Sequence, residues 1–283
     1  MISPTLAARE LADRTRLVFE GSYQAGSLNL RKLASALEAK LRRGFGFSDD
    51  LKAAVILNHQ QGSLFGRPST IYNFTGGSET RFALAHEMAH VLSSYFEYPG
   101  NQPQWSDKDW ARFFDECASH LLLSDEILSH LFNGEVSLSI NGLLSATKQA
   151  KVSVSLLLTR LDMAAQEGAL HLRNGALVVL TSLSARGRRD YSPRVQSRCG
   201  NVQWYVPLNK RLKTLGASNL ESFFISGQVD HDVDISDRLL LWNRKKHKTE
   251  SVDAEFHARM FETSTASKRA LIATMLLHPN DQL

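Results

Sequence analysis

The stretch RFALAHEMAHVLSS holds His86, Glu87 and His90 in the order H-E-x-x-H. On an α-helix, residues four apart lie about one turn apart on the same face. Both imidazoles can then reach one cation, and Glu87, one residue along, can reach a water beside it. Catalytic zinc takes three protein ligands and keeps a fourth position for water. The metal lowers the pKa of that water to roughly 7, and a carboxylate takes its proton as it attacks a carbonyl. The pattern points to His86 and His90 as Zn2+ ligands and Glu87 as general base. The plainer reading is three polar residues on a solvated helix face. Against it, Leu84, Met88, Val91, Leu92 and Tyr95 are spaced to turn one side of the segment into a core. A strand-like segment also precedes the helix, and a carboxylate-bearing helix follows it.

Other groups carry weaker signals. Arg81, just before the motif, suits orienting a carboxylate or a substrate carbonyl, or is a solvated charge. Tyr72 and Asn73 line a groove if an extended substrate pairs with the edge of their strand. Cys117 and His120 sit close to an acidic pair, Asp115 and Glu116, but a Cys among Phe and Leu on a helix is more often a small buried hydrophobe. HDVDISD, residues 231–237, is dense in carboxylates yet lacks the spacing of a calcium loop, so an exposed turn is the better reading. GFGF lacks the Lys and spacing of a phosphate loop.

The elements that must position these groups follow from period and punctuation. From Pro4 to about Tyr23, Leu6, Leu11, Leu17 and Val18 recur at helical spacing. In LRKLASALEAKLRR, Leu30, Leu33, Leu37 and Leu41 fall on one helical face. AAVILNH and STIYNF predict short strands, with TGGS turning into the helix that carries HEMAH. After EYPGNQPQWS, Ser106 is placed to cap a helix whose first turn holds Asp107 and Asp109, favoured at a positive helix end. That helix runs through ARFFDECASHLLLS. INGLLSATKQAKVSVSLLLTRLDMAAQ predicts helix, turn, helix, with Ser153 or Ser155 as the second cap. Beyond Gly168 the texture becomes β-like. Asn174-Gly175 between two apolar runs predicts a hairpin, and VQSRCGNVQWYVPL a second around Gly200-Asn201. The fold class is α+β.

A chain of 283 residues accommodates two or three modest domains or one large one. Two cysteines, Cys117 and Cys199, imply no disulfide framework and fit a reducing compartment. The N-terminus has no apolar signal region, and no segment approaches the ~18 apolar residues of a membrane span. These features predict a cytoplasmic protein with no membrane role. The net charge of +4 is concentrated in tracts such as RRGFGF, RGRRDYSPR and NRKKHKTE, which read as solvated surface rather than a nucleic-acid face. A recognition helix should present Arg, Lys, Asn or Gln to base edges. SLLLTRLDMAAQ offers only Arg160 and Gln166, so packing is favoured over direct DNA binding.

RFALAHEMAH resembles the RFTLAHELGH core of the ImmA/IrrE metallopeptidases, zinc-dependent bacterial proteins of the gluzincin type. STIYNF, ASHLLLS and ATKQAKVSVSLLLTRL resemble that family's preceding strand, its next helix and its helical tail. Together these cover roughly residues 50–165. The resemblance implies a zincin-like metallopeptidase domain over 1–128 and a helix-turn-helix-like segment over 129–167; it does not extend over the β-containing C-terminal domain, 168–283, read from the texture above, for which it implies only a sensory or partner-binding role. It also implies a peptidase that cleaves a helix-turn-helix transcription regulator, often a repressor, and so switches gene expression, as in stress responses. A non-catalytic regulator retaining a degenerate peptidase fold is the alternative.

In the family a Glu one helical turn before an Asn or Asp completes the metal site. Matching on ASHLLLS puts Asp115 on the Asn/Asp position, Phe114 where Cys usually stands, and Ala111 on the ligand position. The third ligand is then Glu116, if the helix is shifted, or Asp115 directly, with Asp107 a weaker choice. Carboxylate–zinc distances of about 2.0–2.2 Å make a one-residue shift decisive.

Overall fold

The computed structural model describes residues 2–24, 27–43, 53–56, 70–73, 78–98, 104–132, 135–136, 138–173, 176–180, 194–199, 223, 232–243, 248–262 and 269–276. It is mixed helix and strand, and falls into two compact units. One comprises residues 1–131 with 147–153, the other residues 132–146 with 154–283.

The first unit opens with α1 (Pro4–Val18), whose N-cap Ser3 accepts a hydrogen bond from the Leu6 N–H. A hairpin-like pair follows, β1 (Tyr23–Gln24) against β2 (Ser27–Leu28), and then α2 (Leu30–Ala36). The helical spacing of Leu30, Leu33, Leu37 and Leu41 overruns the actual helix. Glu38 adopts a left-handed φ of 53°, and the Ala39 N–H reaches back to the Ala34 carbonyl at 2.8 Å. That six-residue closure satisfies the last carbonyls of a helix and stops it. Lys40–Arg43 then becomes a strand, β3. It pairs parallel to β5 (Thr70–Asn73), which pairs antiparallel to β4 (Ala53–Ile56), giving the order β3-β5-β4.

Against this sheet lies α3 (Ser78–Tyr95), the helix of the H-E-x-x-H motif, which packs on β4 and β5. Ala85, Met88, Ala89, Val91 and Leu92 are fully buried. Removing a Met, Val or Leu side chain from water contributes about 1.5–3 kcal/mol each. Leu84 is only half-buried, and Tyr95, expected in the core, is 45% exposed and lies edge-on to Phe96. Next, α4 (Asp107–Leu122) begins with the expected cap. Ser106 Oγ accepts from the Asp109 N–H, and the Asp109 carboxylate accepts from the Ser106 N–H, a reciprocal pair. Phe113, Cys117 and Leu121 are fully buried on α4, which packs on both α1 and α3. After Ser124, which caps it through the Ile127 N–H, comes α5 (Asp125–Phe132). Arg9–Asp125 at 2.9 Å and Arg16–Glu126 at 2.7 Å fasten α1 to it.

The expected helix, turn and helix are present as α6 (Ile140–Ala150), whose residues 147–150 are counted with the first unit, and α7 (Val154–Gln166) of the second, with Lys151 at φ 57° after α6. The strands are β6 (Glu135–Val136), β7 (His171–Leu172), β8 (Ala176–Leu180), β9 (Arg194–Cys199), β10 (Asp232–Asn243), β11 (Lys248–Glu262) and β12 (Arg269–Leu276). Five of them make an antiparallel sheet in the order β10-β11-β12-β8-β9. The apolar face of α7, with Leu157, Leu158 and Leu161 fully buried, packs on β8 and β9. Residues 140–146 of α6 and all of α7 are counted with the C-terminal strands.

Two local expectations do not hold. The strands flanking Asn174-Gly175 do not pair with each other: β7 runs parallel to β6, and β8 lies between β12 and β9. Residues 232–237 of HDVDISD form the start of β10 rather than a turn, with Asp232, Asp234 and Ser236 exposed and Ile235 buried. That is the period-two alternation of a strand with one covered face. The TGGS turn and the hairpin at Gly200-Asn201 lie outside the described residues, as do most of RGRRDYSPR and the centre of NRKKHKTE. Among the described residues, no helix is long and apolar enough to cross a membrane.

Candidate metal centre

The two histidines meet as their spacing requires. The His86 and His90 rings are 5.2 Å apart between centroids, inclined at 60°. What α3 cannot supply comes from α4. Asp115 Oδ1 lies 2.9 Å from His86 Nδ1. A carboxylate on one ring nitrogen fixes the proton there and leaves the other nitrogen, Nε2, to act as a donor to a metal. That hydrogen bond also raises the pKa of His86, outweighing the opposing effect of burial. His90 behaves oppositely: burial, aided by the neighbouring His86 charge, pushes it down to about 4, so its imidazole stays neutral and ligand-competent near neutral pH.

Glu87 is drawn partly out of solvent. Burial raises its pKa, against the lowering effects of His86 and of a hydrogen bond from the Val55 backbone N–H on β4. The sheet thus holds the carboxylate through a backbone group, which carries no signature in side-chain identity. A second feature missed in the sequence is Phe114, which stacks on His90 with centroids 3.6 Å apart and planes at 28°. Trp110 continues the column, 5.9 Å from Phe114 at 25°.

The two candidates for third ligand go separate ways. Consecutive helix residues are about 100° apart around the axis, so only one of Asp115 and Glu116 can face α3. Asp115 does, and there it orients His86. Glu116 accepts from Arg112 Nε at 2.7 Å through Oε1, while its Oε2 is buried and accepts no hydrogen bond from the described residues. Among the described residues, no group of three His, Cys, Asp or Glu side chains is arranged to hold a metal ion. The donor chemistry therefore fits zinc at two positions, His86 and His90, and leaves the third protein ligand unsupplied by the described chain.

The remaining candidates sit elsewhere. Arg81 donates to Ser27 Oγ at 3.1 Å and to the Leu28 carbonyl, fastening α3 to β2. Tyr72 is half-buried on β5, in register with Arg42 and Ala54, and Asn73 pairs through its backbone with Arg43 and Ala53. His120 and Cys117 are buried in α4. Burial raises the Cys117 thiol pKa well above its ordinary value, so little thiolate exists near neutral pH. Cys117 is accordingly expected to resist iodoacetamide in the folded chain and to react after denaturation, as read by peptide mass mapping.

Asp115 gives a direct test of the orientation role. It is 58% exposed, so Asp115→Ala should leave the helices intact. Loss of an outer-shell partner of a metal-binding His costs about 10–100-fold in metal affinity. That drop is the expected result by chelator competition, with circular dichroism as the folding control; unchanged affinity would remove Asp115 from the site.

No family model matches the chain, and no curated protein sequence matches it. One solved structure that resembles it in fold is a Mycobacterium tuberculosis transcriptional regulator. The superposition has a TM-score of 0.50 at 13% identity, covering 94% of this chain and 87% of that one.

Proposed function

We propose that the chain is a zinc-dependent peptidase of the ImmA/IrrE type, acting in the cytoplasm on a helix-turn-helix transcription regulator. The observation that carries the reading is the Asp115–His86 contact of 2.9 Å beside a Glu87 carboxylate held by the Val55 N–H. A desolvated carboxylate costs free energy in the folded chain, and perturbed carboxylates of this kind concentrate at catalytic sites.

His86 and His90 would hold the metal. When bound, zinc supplies Lewis acidity to a scissile carbonyl and its attacking water. Glu87 accepts the proton of that water on a carboxylate oxygen and returns it to the leaving amine. Its raised pKa suits the second half of that task, because a general acid–base works best with a pKa closer to the operating pH. Asp115 keeps the His86 proton on Nδ1 throughout. The regulatory setting rests on the sequence resemblance and is in keeping with the name of the transcriptional regulator of similar fold. Direct DNA reading by α7 is disfavoured, since Arg160, one of its two candidate base-reading residues, is fully buried.

The second reading is a non-catalytic regulator that keeps the fold as a binding scaffold. Phe114 stacked on His90 and Ala111 exposed one turn before Asp115 favour it. One experiment separates the two. Full-length protein and Glu87→Gln, each supplied with zinc, are incubated with extract of the source cells, and new protein N-termini are identified by mass spectrometry. The peptidase reading expects new termini within a transcription regulator from the unaltered chain alone. Identical termini from both proteins would sink it, and a regulator retained but uncut would favour the scaffold.

A further inference from the structure

We infer that Phe114 is the positioning residue of His90: its ring, laid on the imidazole face, does for His90 by stacking what Asp115 does for His86 by hydrogen bonding. The inference rests on the zinc reading above and deepens it. A histidine that binds a metal almost always donates its other ring N–H to a carboxylate, a carbonyl or water, which sets the orientation of the ring. His86 has that partner in Asp115. Among the described residues, none forms a hydrogen bond to the His90 ring. The last side-chain torsion of a histidine is broad and roughly two-fold, so an imidazole without a partner swings about it and its nitrogens lose their aim. Phe114 removes that freedom, with the two ring centroids 3.6 Å apart and the planes at 28°.

Phe114 is itself braced by its own helix. Trp110 stacks with it at 5.9 Å and 25°, and the fully buried Phe113 meets it edge-on at 5.0 Å and 64°. Toward His86 it is only tilted, at 6.0 Å and 56°, so its stacking is confined to one of the two imidazoles. Although the stack covers a face of His90, the lone pair that binds a metal lies in the ring plane and leaves at the edge, where the phenyl ring takes no donor position. The spacing of the imidazoles agrees. Two rings bound to one zinc through Zn–N bonds of about 2.0–2.1 Å in a tetrahedral array place their centroids roughly 5 Å apart; those of His86 and His90 stand 5.2 Å apart. Adjacent residues of α4 thus hold the two imidazoles of α3, each by a different interaction.

The test pairs two readouts on the chain, neither of them activity. In proton NMR of the metal-free chain, the carbon-bound ring protons of His90, identified by their absence from His90→Ala, should lie upfield under the Phe114 ring current. Phe114→Leu keeps an apolar side chain and should lose that upfield shift. With zinc alone as the probe, chelator competition should show Phe114→Leu weakened by roughly 2–12-fold, the worth of one aromatic pair. Phe114→Tyr restores the ring and should recover both readouts, and circular dichroism checks that α4 persists in each variant. A lost ring-current shift with unchanged or tighter zinc binding would overturn the inference and leave the zinc reading standing. So would equal weakening by Leu and Tyr, or an unaltered chain whose His90 shows no upfield shift. Zinc binding by neither the unaltered chain nor Phe114→Tyr would overturn the inference and the zinc reading together.

Discussion

Replacing Glu87 with Gln is expected to leave zinc binding in place and to lower cleavage by about 10²–10⁴-fold, the contribution of a positioned general base. The reasoning is local. His86 and His90 point from the same face of α3, and Gln at 87 removes no imidazole. It keeps the volume and one oxygen for the Val55 N–H, so the contact to β4 persists. What disappears is the proton acceptor. Zinc content matching that of the unaltered chain, together with lost cleavage, is the expected pair of results. Retained cleavage would remove Glu87 from the mechanism, and lost zinc would give it a metal-binding role instead.

The largest expected stability effect is at Phe113. It is fully buried on α4, with Trp105 at 5.4 Å, Trp110 at 5.8 Å and Phe114 at 5.0 Å between ring centroids. Truncating such a residue to Ala removes its transfer free energy and leaves a cavity, costing about 3–5 kcal/mol. Because Phe113 adjoins the residues that touch both histidines, the loss should spread to the site. Faster amide exchange throughout α4 and weaker zinc binding are expected together. Leu17→Ala is the matching control: Leu17 is 82% exposed, and substitutions at such positions stay within about 0.5 kcal/mol. Equal effects of the two substitutions would show that the aromatic cluster does not support α4.

What was legible in the sequence was whatever local pattern decides. H-E-x-x-H placed two imidazoles on one helix face, and Ser106 ahead of Asp107 and Asp109 announced a capped helix start that the structure contains. The choice between Asp115 and Glu116 was not legible, because a single residue of helix rotation decides it and only the packing of α4 on α3 sets that rotation. The Leu spacing that carried α2 too far fails for a related reason. A left-handed Glu38 ends the helix at a cost that the pairing of β3 with β5 offsets, and that partner lies some thirty residues away in sequence. Asn174-Gly175 misled in the same way, since β8 finds its neighbours in β12 and β9, which come later in the chain. HDVDISD was the reverse case. Its alternation was present to be read as a strand, and the density of carboxylates distracted from it.

X-ray absorption at the zinc edge, on the chain equilibrated with zinc, reads the ligands of the metal itself. Two imidazole nitrogens at about 2.0–2.1 Å are expected, falling to one in His90→Ala. A spectrum of oxygen ligands alone, or sulfur at about 2.3 Å, would contradict a site built on the two histidines.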